Sequence, residues 1–261
     1  MRRIPLLLAL ACILSSHKGY TQDKNPVFIK AGGTYSGITD LQSTILSEPY
    51  FTDYSLKGKY QLGYTIGMGT EFNLGDCHCT VAAEVLYSKT GSVLEFQNFD
   101  KNFSYQMKFN YHYITIPVIL KWYVKSDLED DPPIGFYVGL GFQGRLNVTR
   151  DNIFYTSKGT SAYPGFGTDL EQQQQLRNVL KGRNDMGPVF DIGYMFKLDH
   201  DETKLLGFDI RYYYGLSDVV ETESNSYNFI ENKNYGRYFE VTAMFSFFGL
   251  NDNGTGKKMY P

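Results

Sequence analysis

Beyond its first fourteen residues, this sequence has no uninterrupted apolar run long enough to cross a bilayer as a helix. Helical membrane spans are excluded. A barrel is not, because lumen-facing residues dilute the hydropathy of its strands. An excess of positive charge is also lacking: 25 Lys and Arg stand against 28 Asp and Glu, for a net charge of -3. No basic footprint points to nucleic acid as a partner. Cysteine is scarce, at three residues in 261. Cys77 and Cys79 flank His78, but structural zinc usually needs four ligands and no second Cys pair exists. A disulfide across one residue would be strained. The trio reads as a short turn, and an exported chain is free to use such a Cys toward another chain. Gly139-Leu140-Gly141-Phe142-Gln143-Gly144 spells a GxGxxG string. It lies inside a strand pattern with no helix after it, so the dinucleotide reading fails its context. No cofactor, metal or catalytic set is expected.

Aromatic residues are abundant, with 22 Tyr and 19 Phe beside a single Trp. Tyr suits a boundary between lipid and water. The aromatics fall into alternating runs. Ile134, Phe136, Val138, Leu140 and Phe142 interleave with Gly135, Tyr137, Gly139, Gly141 and Gln143. A strand sends successive side chains to opposite faces, so one face here is wholly apolar. In Leu206–Leu216 the second face carries Asp209 and Arg211 in mid-strand. A membrane barrel turns the apolar face to lipid and such charges to its lumen.

The N-terminus reads as an export signal. Arg2 and Arg3 form the charged region, Ile4 to Leu14 the apolar region, and Ser15 to Gln22 a small or polar stretch. Residues 1–21 are expected to be the signal peptide, although a cut near Ser16 is the alternative. Cys12 follows Ala9-Leu10-Ala11, without the Leu usual three residues before a lipidated Cys. It reads as part of the discarded segment.

The expected mature chain is a barrel domain over residues 22–250 and a loose polar tail over 251–261. About eight strands are expected: Val27–Tyr35, Lys59–Leu74, Thr80–Phe96, Tyr105–Val124, Ile134–Val148, Met186–Leu198, Leu205–Asp218 and Tyr235–Phe248. Short and long connections alternate between them, and a short helix is expected within Glu171–Lys181. Outer-membrane barrels have short periplasmic turns and longer external loops. Lipid cannot satisfy an open sheet edge, so the last strand must pair with the first. The fold class is therefore all-β, a transmembrane antiparallel up-and-down barrel. Pro117 is expected at a bulge or near a strand end.

The alternation places Lys30, Glu71, Glu84, Lys121, Asp191, Lys197, Asp209, Arg211 and Glu240 inward. An eight-stranded interior is just wide enough for side chains to fill it. Unpaired charges there are costly. A lumen charge network is expected around Arg211, with Glu84, Asp191, Asp209 and Glu240 as its candidate partners and Lys121 in the same interior. Tyr60, Trp122, Tyr212 and Tyr214 fit an interfacial girdle.

Three of these strands resemble a known family. Tyr113-Ile114-Thr115-Ile116-Pro117-Val118-Ile119-Leu120-Lys121-Trp122-Tyr123, then Gly135-Phe136-Tyr137-Val138-Gly139-Leu140-Gly141-Phe142, then Phe208-Asp209-Ile210-Arg211-Tyr212-Tyr213-Tyr214-Gly215-Leu216 are similar in series to strands of PorT-type outer-membrane β-barrel proteins of Bacteroidota. The resemblance implies a barrel of the outer membrane. The name-giving member serves type IX secretion, while many relatives are barrels of unknown role. The final strand, with Phe239, Val241, Phe245, Phe247 and Phe248, looks like the signal read by the barrel-assembly machinery.

The expected function is that of a non-enzymatic integral outer-membrane protein, structural or accessory, in contact with membrane lipid. Envelope or secretion proteins are its expected partners, met through the external loops. A small porin is the alternative. A lipid-modifying enzyme is a lesser one, with His112 as its candidate base and no Ser or acid placed beside it.

Overall fold

The structure is a computed structural model that describes residues 26–40, 54–74, 78–99, 102–124, 134–149, 153–159, 168–198, 204–222 and 234–247. The expected signal segment, Cys77 and the C-terminal tail lie outside these residues. The chain runs β1 (Val27–Ile38), β2 (Tyr54–Asn73), β3 (Cys79–Asn98), β4 (Phe103–Tyr123), β5 (Gly135–Asn147) and β6 (Ile153–Lys158). Then come the helix α1 (Asp169–Val179), β7 (Leu180–Gly182), β8 (Asp185–Lys197), β9 (Lys204–Asp218), β10 (Val220–Thr222) and β11 (Tyr235–Phe247). No described helix is long and apolar enough to cross a membrane.

Eight strands close a ring in the order β1, β2, β3, β4, β5, β8, β9, β11. All neighbours are antiparallel, and closure is made from Val27 opposite Phe247 to Ile38 opposite Gly236. Within the ring every strand is paired on both sides, as lipid requires. The period-two pattern sorts the faces. On β4, Tyr111, Tyr113, Thr115, Ile119 and Lys121 are buried while Ile114, Val118, Leu120 and Trp122 are exposed. In a lone soluble domain such an apolar belt would be a liability; against lipid it is the burial that stabilises the fold.

The short connections, 74–78, 124–134 and 198–203, share one end of the ring. The connections 39–53, 148–184 and 219–234 share the other. The β3–β4 connection at that end is the short segment 99–102, because Gln97, Asn98, Phe103 and Ser104 lengthen the two expected strands by two residues each into one long hairpin. Residues 54–60 of β2 flank this hairpin on one side and β6 on the other. Together they raise a four-stranded wall above the ring.

The remaining differences are local. β6 falls inside what reads as loop, although Ile153-Phe154-Tyr155-Thr156 has strand composition. α1 begins two residues before the expected span, because Thr168 and Glu171 form a capping box. Pro117 sits in mid-strand with no bulge. β3–β4 pairing lapses at this proline, which has no N–H to give, and resumes in the same register from Ala83 opposite Val118 to Leu86 opposite Thr115.

Candidate functional site

Beginning at the short-connection end, the interior holds Phe28, Tyr123, Tyr137, Met195, Leu205 and Met244 in one apolar cluster. Gly193 on β8 makes room for this layer. A Cβ there would run into the Tyr137 ring and hydroxyl. On the outer side of the same end, Cys79 opens β3 opposite Trp122.

Charges fill the middle. Among the described residues, the buried cations are Lys30, Lys121, Arg145 and Arg211, and the buried carboxylates are Glu71, Glu84, Asp185, Asp191, Asp209 and Glu240. Arg211 on β9 donates from both Nη atoms to Glu84 on β3, at 2.8 and 3.0 Å, and from Nη2 to Asp191 on β8 at 3.0 Å. Glu240 lies 3.6 Å from Arg211 Nη1, an ion-pair distance without a hydrogen bond. Two-pronged guanidinium–carboxylate pairing is directional as well as strong.

Asp209, also expected beside Arg211, goes elsewhere. Its Oδ2 accepts from Lys30 Nζ at 2.5 Å and its Oδ1 from Thr242. Two residues along a strand separate side chains by about 7 Å, so Asp209 and Arg211 enter the lumen at different levels. Lys30 also reaches Glu84 at 3.3 Å, which joins the two levels. Lys121 donates to Glu71 at 2.8 Å, and Tyr123 and Thr80 donate to the same carboxylate. The Lys121 ammonium also stands 4.4 Å from the Tyr137 ring centre. Lys197, expected inside, is only half-buried at the end of β8.

A further layer was not anticipated. Arg145 lies 3.8 Å over the Tyr113 ring, donates to Thr90 at 2.6 Å and pairs with Asp185 at 3.5 Å. Tyr213 and Tyr238 stack beside it with ring centres 5.0 Å apart. Arg145 shares the inward parity of Tyr137 and Gln143, so the alternation already contained it. Asp185 falls one residue before the expected strand start.

The long-connection end is closed by a second apolar cluster, which includes Ile38, Tyr111, Leu176, Leu180, Val219 and Val220. The connections that supply it are stitched together. β7 pairs with β10, and the Asn234 amide accepts from the backbone N–H groups of Val219 and Val220 and donates to the Val220 carbonyl. Between Arg145 and this cap lies a cavity of about 10 Å³, room for about one water. At the edge of the cap, burial, with the Asp169 carboxylate adding to it, pushes the Tyr155 phenol up to about 12.

The expected girdle residues Tyr60, Trp122, Tyr212 and Tyr214 all lie on the outer face. His112 is there too. Its Nδ1 is 2.8 Å from the Tyr87 hydroxyl and its ring stacks on Tyr87. No grouping of His, Cys, Asp and Glu fit to hold a metal exists among the described residues.

A family model described as outer membrane protein beta-barrel domain matches residues 27–221. No curated protein matches the sequence. Among solved structures, the chain is similar to the outer membrane protein OprG from Pseudomonas aeruginosa, at 12% identity over 87% of this chain and 98% of that one, with a TM-score of 0.47. It is also similar to Neisserial surface protein A (NspA), at 9% identity over 85% and 97% of the two chains, with a TM-score of 0.37.

Proposed function

The chain belongs to the outer membrane protein β-barrel domain family, and on that premise we propose that it is a non-enzymatic integral protein of the outer membrane with a structural or accessory role at the envelope. The observation that carries this reading is the filled interior. Arg211 and Glu84 tie the ring across its lumen, and an apolar cluster stands on either side of the charged layers. A porin needs a continuous water path, and the described interior is filled instead by the two apolar clusters and the charged side chains between them. The lipid-modifying reading calls for a Ser nucleophile or an orienting acid beside its base, and the side-chain hydrogen bond of His112 goes to the Tyr87 phenol.

With the short connections periplasmic, the cap and the wall project outside the cell. They are the surfaces offered to partners. The resemblance to PorT-type barrels favours a place in type IX protein secretion. The test is the extracellular proteome of a deletion strain beside its parent. Loss of a class of secreted proteins, restored by the intact gene, supports the secretion role. An unchanged set of secreted proteins removes that role and leaves a scaffold of the envelope.

A further inference from the structure

The outer face of the wall carries lysines that take no part in the lumen. β3 and β4 run unbroken from the lipid-facing belt into the wall, so their outward residues keep to one continuous face. The register sets Tyr64, Lys89 and His112 in one row across the strands. A row farther from the ring holds Lys59, Val93, Lys108 and Phe154. The next holds Lys57, Glu95, Gln106 and Thr156, and Lys158 stands opposite Ser104 beyond it.

Height follows from strand geometry. A tilted strand crosses the hydrocarbon in roughly 9–11 residues, and β3 has 20. Its outer half therefore stands clear of the lipid tails. The four residues from His112 to Lys108 span about 13 Å along β4, or about 9 Å along the bilayer normal at a tilt of about 45°. Lys108 thus stands about 9 Å farther out than His112, with Lys59 in its register row, beyond the exposed Ile66, Tyr87 and Ile114 of the belt.

The one carboxylate in these rows is already satisfied. Glu95 accepts from Lys59 at 2.6 Å and from Gln106 at 2.9 Å. Asp169, at the start of α1, is engaged by Ser157. Lys57, Lys108 and Lys158 make no ion pair among the described residues. The face is concave, with about 430 Å³ between Lys57, Lys59, Gln106 and Lys158. Arg177 of α1 adds another cation at its edge, over the Phe154 ring at 5.3 Å.

We propose that this face docks the phosphate groups of an anionic glycolipid of the outer leaflet, with Lys59 and Lys108 nearest the bilayer and Lys57 and Lys158 farther out. Charge complementarity selects phosphate. Continuity with the apolar belt selects a lipid, whose acyl chains lie along Ile66 and Ile114 while its headgroup reaches the lysines. The proposal rests on the outer-membrane reading above.

The test uses the full barrel folded in neutral vesicles, with native mass spectrometry of adducts formed with a bis-phosphorylated lipid A. Dephosphorylated lipid A and inorganic phosphate serve as comparison ligands. The expected result is an adduct with the phosphorylated lipid that Lys57→Gln/Lys59→Gln/Lys108→Gln weakens by about tenfold or more, as loss of several near-surface lysines implies. Lys197→Gln/Lys204→Gln, a charge change at the opposite end, is expected to leave it intact. Equal binding of the dephosphorylated lipid, equal binding by the triple variant, or capture of inorganic phosphate without lipid overturns the proposal. Heat-modifiable migration separates this from failure of the underlying reading. A chain that inserts but does not discriminate defeats only the docking face, whereas one that never inserts defeats the membrane assignment on which it rests.

Discussion

Arg211 and Glu84 face each other from diametrically opposed strands. In the ring, β9 and β3 are four steps apart in either direction, yet the guanidinium meets the carboxylate at 2.8 and 3.0 Å. Neighbouring strands are held by backbone hydrogen bonds; this pair holds strands that share none. Lys30 reaches the same carboxylate from β1, so three strands converge on Glu84.

Removing one member strands the others. Arg211→Met leaves Glu84 and Asp191 buried without their main donor, and is expected to destabilise the barrel by about 3–5 kcal/mol. The measurement is the urea midpoint of the folded band on unboiled gels. Arg211→Met combined with Glu84→Leu is expected to recover part of the loss, because an apolar pair replaces an ionic one.

The filled lumen predicts silence in planar bilayers. The folded protein is expected to give no steady single-channel steps, and Arg145→Ala is expected to leave it silent, because the cap of Ile38, Tyr111, Leu176 and Val220 lies beyond it. A stable ohmic conductance in the unaltered protein would return the porin reading to first place.

Gly193→Ala puts a methyl group into the Tyr137 ring. Overpacking of this kind costs about 1–3 kcal/mol. Adding Tyr137→Leu, which shortens the intruding side chain, is expected to return much of it in the same urea titration.

Outside the membrane, the Lys59 ammonium, aided by Gln106, holds the Glu95 carboxyl below the usual carboxylate range. A carboxylate whose folded pKa is lowered contributes stability that is present above its unfolded pKa and is lost as pH falls through the folded value. The wall is therefore expected to loosen only in acid. A carbon-13 titration of Glu95 reads this directly, and Lys59→Gln is expected to move its midpoint up toward the ordinary value.

The cap hangs on α1 through Leu176. Leu176→Ala is expected to cost about 2–5 kcal/mol locally. Hydrogen exchange across Asp169–Val179 should quicken while the ring strands keep their protection. Equal loss in β1 and β11 would mean that the cap and the ring unfold as one unit.

Much of this was legible in the chain, because period-two alternation and loop placement are properties of local sequence. The eight ring strands, their inward charges other than Lys197, and the outward placement of Tyr60, Trp122, Tyr212 and Tyr214 follow from which side chain points which way. Parity also included Arg145. The wall was hidden, since β6 joins β4 through long-range pairing that the residues 153–158 do not announce.

What the sequence by itself determined is which residues share the lumen and which face lipid, since a strand admits only two sides. Which anion each cation takes was decided by the tertiary structure alone. Asp209 and Arg211 sit two residues apart on one strand, yet the first binds Lys30 from β1 and the second binds Glu84 from across the ring. That choice depends on how far apart closure sets the strands and at what height each side chain enters, and both are fixed only when β11 meets β1.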